Sequence, residues 1–128
     1  MEGVAVRFRQ QIAENSKMLS SHHVIPEMNH NELVGWRTPN QDLSVVFFRS
    51  KDEYYRNTAR LEKSKEIASQ YTSNVNEVFA KGEGRIQQAL YLIHFGDWIT
   101  YDLALLKEID SVEVDVITGL KDMLAELK

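Results

Sequence analysis

Leu43-Ser44-Val45-Val46-Phe47-Phe48 is the most strongly β-branched and aromatic run in the chain, and its reading decides the fold class. Its near-continuous apolarity predicts a strand covered on both faces, as in a parallel sheet, rather than one with a wet side. Outward from it, Asp52 to Tyr71 predicts a long helix opened by an acidic cap region, with Tyr54, Leu61, Ile67, Ala68 and Tyr71 as its buried stripe. Val75 to Ala80 predicts a second strand, followed by a turn at Gly82 and Gly84. In the other direction, His23-Val24-Ile25 predicts a short strand stopped by Pro26. Asn29 to Trp36 predicts a helical turn, with Asn29 or Asn31 as cap and Gly35 as stop. Gly3 to Leu19 predicts a first helix, with Val4, Phe8, Ile12 and Leu19 on roughly one face. Beyond the second strand, Arg85 to Phe95 predicts a helix with Ile86, Leu90 and Ile93 on one face, interrupted at Gly96 and resumed from Trp98 to Lys107. Val114 to Leu127 predicts a last helix striped by Ile117, Leu120 and Leu124. This alternation argues for an α/β fold with a small, mostly parallel sheet of three short strands, whose edges need cover from another lobe or chain.

Composition narrows the function classes. The 128 residues fit one ordinary domain, and 43% hydrophobic with 27% charged residues is a globular balance. With no cysteine, disulfide scaffolds, thiolate zinc sites and cysteine nucleophiles are excluded. A net charge of -4 argues against a phosphate-tracking basic face, so no nucleic-acid partner is expected. No apolar run reaches the roughly 18 residues of a membrane span, and no membrane partner is expected. Met1-Glu2-Gly3-Val4 lacks the charged and apolar segments of a secretory signal, which makes a cytoplasmic location the expectation.

Several groups invite a chemical reading. His22, His23 and His30 stand near Glu27 and Glu32, but the spacing matches no recurring ligand pattern, and a solvated loop edge is the favoured reading for His22 and His23. His94, just before Phe95-Gly96, suits packing or a C-terminal dipole contact better than catalysis. Glu14 and Lys17 are three residues apart, the spacing of an ordinary surface pair. Pro26-Glu27-Met28-Asn29-His30-Asn31-Glu32-Leu33-Val34-Gly35-Trp36 crowds amides and a histidine into a turn. Such side chains can cap the turn or present an oriented imidazole, and the residues alone leave both open. Gly82-Glu83-Gly84 is no phosphate loop, and Lys121 taken alone is a solvated charge.

Four segments together resemble the bacterial and archaeal bifunctional phosphoglucose/phosphomannose isomerases, in their C-terminal sugar-isomerase (SIS) lobe. Arg9-Gln10-Gln11-Ile12-Ala13-Glu14-Asn15-Ser16-Lys17 is similar to the family's Q-I-x-E-N-[AS]-K, and Pro26 to Trp36 to its P-E-x-x-H-N-E-[IL]-V-G-W. Ile93-His94-Phe95-Gly96-Asp97-Trp98-Ile99-Thr100, with Leu103 to Leu106 after it, is the third. Ile109-Asp110, Val116-Ile117 and Leu120-Lys121 make the fourth. The resemblance implies a three-layer α/β/α SIS-like lobe and an aldose–ketose isomerase of hexose 6-phosphates that needs no metal or other cofactor. It implies Glu14 as the base that moves a proton between C1 and C2 through a cis-enediol, and His30, from the partner subunit of a homodimer, as the ring-opening acid/base. Lys121 would assist ring opening and favour oxyanion charge, and Asn15, Asn29 and Asn31 would contact substrate.

The chain departs from the family pattern in two places. The usual D-P-T-P-V is replaced by Asp110-Ser111-Val112-Glu113-Val114, without the threonine associated with acceptance of both C2 epimers. Family members also carry two SIS lobes in roughly twice this length or more. Residues 1–128 are therefore expected to be a single C-terminal lobe, with the N-terminal lobe and its phosphate-binding hydroxyl cluster absent; Ser20-Ser21 is a weak substitute. A non-catalytic phosphosugar-binding or interaction domain is the alternative from another class. A metal-dependent hydrolase rests only on the histidine cluster.

Overall fold

Val45–Arg49 forms β1 and Val75–Phe79 forms β2; they pair in parallel, in register from Val45 opposite Val75 to Arg49 opposite Phe79. The computed structural model describes residues 1–127. Around the strands lie α1 (Glu2–Ser16), α2 (Met28–Asn31) with a 3-10 turn at Leu33–Gly35, α3 (Tyr55–Ala68), α4 (Arg85–Leu106) and α5 (Asp115–Glu126). The α/β class and the small parallel sheet flanked by helices are as the sequence predicts.

Alternation along the strands assigns the layers. Phe48 meets the Phe8 ring of α1 at 5.3 Å, and Phe48 and Val78 pack on Val4 and the fully buried Leu92 of α4. The opposite-facing Arg49 and Glu77 reach Glu62 and Lys65 of α3. Thus α1 and α4 cover one face of the sheet, and α3, the β1–β2 crossover, covers the other.

Two strands, not three, pair among the described residues. His23-Val24-Ile25 is irregular because its backbone serves the next turn: the Val24 carbonyl accepts from Met28 N–H at 2.9 Å, and the chain turns through Pro26 into α2. The first helix stops at Ser16 rather than Leu19 because Lys17 adopts the left-handed conformation (φ 52°), leaving Leu19 fully exposed. The third helix begins at Tyr55 rather than Asp52, since Glu53 turns back onto Arg49 and the Ser50 N–H. Tyr54 is consequently exposed, while Leu61, Ser64 and Ala68 are buried.

The largest correction concerns α4. It runs unbroken through Gly96, and its buried row is Gln88, Leu92, Gly96, Thr100 and Ala104, spaced every four residues. Ile86 and Leu90, predicted to face inward, are 77% and 59% exposed. The four-residue row is a ridge of mostly small side chains against which α1 packs. Gly96 is the point of closest approach, where an added Cβ would sit 2.8 Å from the Phe8 ring. Overpacking there costs about 1–3 kcal/mol, offset by about 1 kcal/mol of helix propensity, so Gly96→Ala is expected to lower stability by up to about 2 kcal/mol. Gly119→Ala, with open space around its site in α5, is expected to raise stability by up to about 1 kcal/mol. Urea titration of both variants checks the pair; a stabilised Gly96→Ala protein would show that the α1–α4 contact is looser than described.

The last helix has the predicted stripe, yet none of its residues is buried: Val116 is 86% exposed and Leu120 53%. Its apolar face is left uncovered among the described residues.

Candidate functional site

Glu14 sits in the last turn of α1, facing the segment that enters α5. Together with Ala13, Lys17, Glu113, Val114, Val116 and Ile117 it lines an open cleft of about 250 Å³. Its carboxylate takes no hydrogen bond and no ion pair among the described residues.

The surface pair with Lys17 does not form. The Lys17 amine instead donates to the Glu14 carbonyl at 2.6 Å and to the Glu113 carbonyl at 2.5 Å, and lies 3.9 Å from the Glu113 carboxylate. Lys107 donates to the Ser16 and Lys17 carbonyls at 2.8 and 3.4 Å. Two lysines thereby satisfy carbonyls that the end of a helix leaves without partners; Lys17 ties that end to the approach to α5, and Lys107 ties it to the end of α4.

Lys121 is exposed on α5, one turn beyond Ile117, so it shares the helix face whose first turn walls the cleft. His30 is exposed in the short α2, and it is not among the side chains lining the cleft. The next residue back, Asn29, donates to Ser64 Oγ at 2.8 Å and so holds α2 against α3, on the opposite side of the sheet from α1. One chain therefore brings Glu14 to the helix of Lys121 but does not bring His30 to either.

The candidate asparagines differ in how free they are. Asn15 Nδ2 donates to Gln11 Oε1 at 2.8 Å and Thr100 Oγ1 at 3.0 Å, tying α1 to α4 beside the Ser16 Oγ to Thr100 carbonyl bond of 2.8 Å. Asn29 Oδ1 is buried without a hydrogen-bond partner among the described residues. Asn31 is exposed beside His30.

His22, His23 and His30 do not gather into a ligand set among the described residues. His23 pairs with Glu32 and lies 3.1 Å from Ser21 Oγ, closing the loop that precedes α2. His94 is not at a helix end, because α4 continues to Leu106. It accepts from Trp98 Nε1 at 3.2 Å and joins Asp97, Trp98 and Tyr101 along a shallow aromatic surface of about 410 Å³.

Sequence reasoning missed the cluster at the end of β1. Arg49 is 5% exposed and pairs with Glu53 (2.9 Å), Glu62 (2.8 Å) and Glu77, while Lys65 bridges Glu62 and Glu77. The hydrogen bond to Glu53, with those to Glu62 and Glu77, raises the Arg49 pKa against the opposing cost of burial. Burial works to raise the Glu53 pKa, but the bonds from Arg49 and Ser50 N–H outweigh it and hold it below the usual carboxylate range. An arginine closing an apolar strand, with a glutamate four residues on, was the available signal.

Comparison with known proteins agrees with this architecture. Residues 1–124 match the family model of the bacterial phospho-glucose isomerase C-terminal SIS domain. Bifunctional phosphoglucose/phosphomannose isomerases from Caldicellulosiruptor bescii and Aquifex aeolicus are 35% and 36% identical, over 99% and 94% of this chain but only 38% of their own lengths. A glucose-6-phosphate isomerase like protein from Thermus thermophilus, known from a crystal structure, shares the fold with TM-score 0.67 and 23% identity, over 100% of this chain and 40% of that one. The chain thus spans about two-fifths of the proteins it matches. It belongs to the bacterial phospho-glucose isomerase C-terminal SIS domain family.

Proposed function

We propose that this lobe supplies the proton-transfer half of an aldose–ketose isomerase acting on hexose 6-phosphates. The observation that carries the reading is the unengaged Glu14 carboxylate on the wall of an open cleft, in a chain whose relatives are named as phosphoglucose/phosphomannose isomerases. A carboxylate with no internal partner is free to remove the C2 proton of the open-chain aldose and return it to C1 of the enediol. Lys121, on the helix that walls the cleft, would stabilise charge at the carbonyl oxygen. His30 would exchange the proton between the ring oxygen and O1, with Asn31 and the remaining oxygen of Asn15 available to sugar hydroxyls, whereas Asn29, its amide engaged by Ser64 and its oxygen buried, would hold α2 in place.

In this reading His30 comes from the partner subunit of a homodimer, which is supported by its separation from the Glu14 cleft within one chain. A companion lobe, for which the relatives' greater length leaves room, would cover the apolar face of α5 and bring the phosphate-binding hydroxyls. Residues 1–128 are then one C-terminal lobe of a larger site. No helix among the described residues is long and apolar enough to cross a membrane. A cytoplasmic location is part of this proposal and rests on the metabolic character of the relatives.

The test is conversion of glucose 6-phosphate and mannose 6-phosphate to fructose 6-phosphate, measured for the chain alone and mixed with a separately expressed N-terminal lobe of the Caldicellulosiruptor bescii relative. Turnover in the mixture, with little in the chain alone, is expected. Phosphosugar binding without turnover in either form favours a non-catalytic sensor.

A further inference from the structure

We infer that Lys17 is the positioning residue for the proton-transfer base, acting through a bridge between the end of α1 and the start of α5. This inference rests on the reading of Glu14 as that base. The bridge is made by one amine held between the Glu14 carbonyl (2.6 Å) and the Glu113 carbonyl (2.5 Å), with the Glu113 carboxylate 3.9 Å away. Glu14 is thus tied at its own backbone, not at its carboxylate, and the carboxylate stays available. Glu113 stands two residues before α5, so the same contact fixes the helix that carries Ile117 into the cleft and Lys121 beyond it.

Residue 17 is one where a lysine is an expensive choice. Its backbone is left-handed (φ 52°, ψ 43°), at the end of a helix where glycine is the usual solution. A non-glycine residue there costs about 1–2 kcal/mol. A residue serving only to end the helix would be better as glycine, so the lysine's side chain has to supply something that glycine cannot. Its amine gives the only side-chain hydrogen bond between α1 or its cap and the α5 entry among the described residues. Proton transfer between adjacent carbons depends steeply on where the base sits, and a displacement of about 1 Å can cost on the order of a hundredfold in rate. Joining the base's own turn to the opposite wall of the cleft is a direct way to hold that distance.

The backbone geometry also makes a clean test. Lys17→Gly removes the amine while relieving the left-handed strain, so loss of fold and loss of positioning move in opposite directions. Lys17→Arg keeps a cation able to reach both carbonyls. The variants are compared in whichever form, chain alone or chain with companion lobe, turns over substrate. Lys17→Gly is expected to keep its melting temperature while kcat falls at least tenfold, KM stays within about twofold and solvent deuterium enters C2 more slowly. Lys17→Arg should recover most of the rate. Unchanged kcat in Lys17→Gly overturns the inference, as does a loss shown equally by Lys17→Arg. A Glu14→Gln control separates the two levels: if that variant remains active, the base assignment itself falls, whereas an inactive Glu14→Gln beside a fully active Lys17→Gly removes only the bridge.

Discussion

Glu14→Gln is expected to reduce kcat for hexose 6-phosphate isomerisation by a factor of about 10² to 10⁴, the range supplied by a positioned general base. Glutamine keeps the shape of the side chain and its hydrogen-bonding capacity but cannot accept a carbon-bound proton. Because the Glu14 carboxylate engages no other side chain among the described residues, the substitution breaks no internal bond, and the melting temperature should be preserved. Substrate binding should change little, since the charge lost faces a carbon and not the phosphate. The measurement is turnover in the active form, together with deuterium exchange at C2, which reports the proton-transfer step separately from ring opening. Lowered exchange at unchanged affinity identifies the base. Normal exchange with slow ring opening would move the assignment elsewhere in the cleft.

The parts of this molecule that could be read from its sequence are those set by local rules. Val45 to Phe48 reads as a covered parallel strand because its β-branched and aromatic side chains suit no other environment, and β1 lies between α1/α4 and α3 as that reading requires. Glu14 and His30 stand out through a recognisable motif; spacing alone suggested a surface pair for Glu14 and left His30 open between a capped turn and an oriented imidazole. The failures have a common cause, which is that burial is decided by the partner surface. In α4 the apolar Ile86 and Leu90 made a plausible inner face, but α1 approaches along the row of Gln88, Leu92, Gly96, Thr100 and Ala104. A glycine read as a break is a seat for the Phe8 ring. Likewise Val24 has the composition of a strand residue, but its carbonyl is used by the turn into α2. The stripe on α5 was legible, and its exposure was not, because nothing in one chain's pattern says whether the complementary surface belongs to the same chain.

Arg49→Met is expected to lower stability by about 3–5 kcal/mol, the usual effect of removing one partner from a buried ion pair. For a domain of this size that corresponds to a fall of roughly 10 °C or more in melting temperature. Methionine approximates the volume of the arginine stem, while the contact of the guanidinium over the Phe79 ring, 5.2 Å away, goes with the charge. The loss falls on charge. Glu77 retains Lys65 and Glu62 is half exposed, but Glu53, with its side chain 19% exposed, is left with only the Ser50 N–H and Thr58 Oγ1. The pH dependence separates this account from a packing defect. In the native protein the Glu53 pKa is depressed, so its contribution is complete above the unfolded carboxylate pKa and is lost as pH falls through the lower folded value. Without Arg49 burial is opposed only by the bonds from Ser50 N–H and Thr58 Oγ1, so the Glu53 pKa is expected to move up, and protonation should cost the variant less than the native protein as the solution is acidified. The stability gap between the two proteins should therefore narrow as the solution is acidified below about pH 5, and adding Glu53→Gln to Arg49→Met should recover part of the loss at neutral pH. A gap independent of pH, undiminished by that second substitution, would assign the cost to the arginine's packing and leave the carboxylates with no part in it.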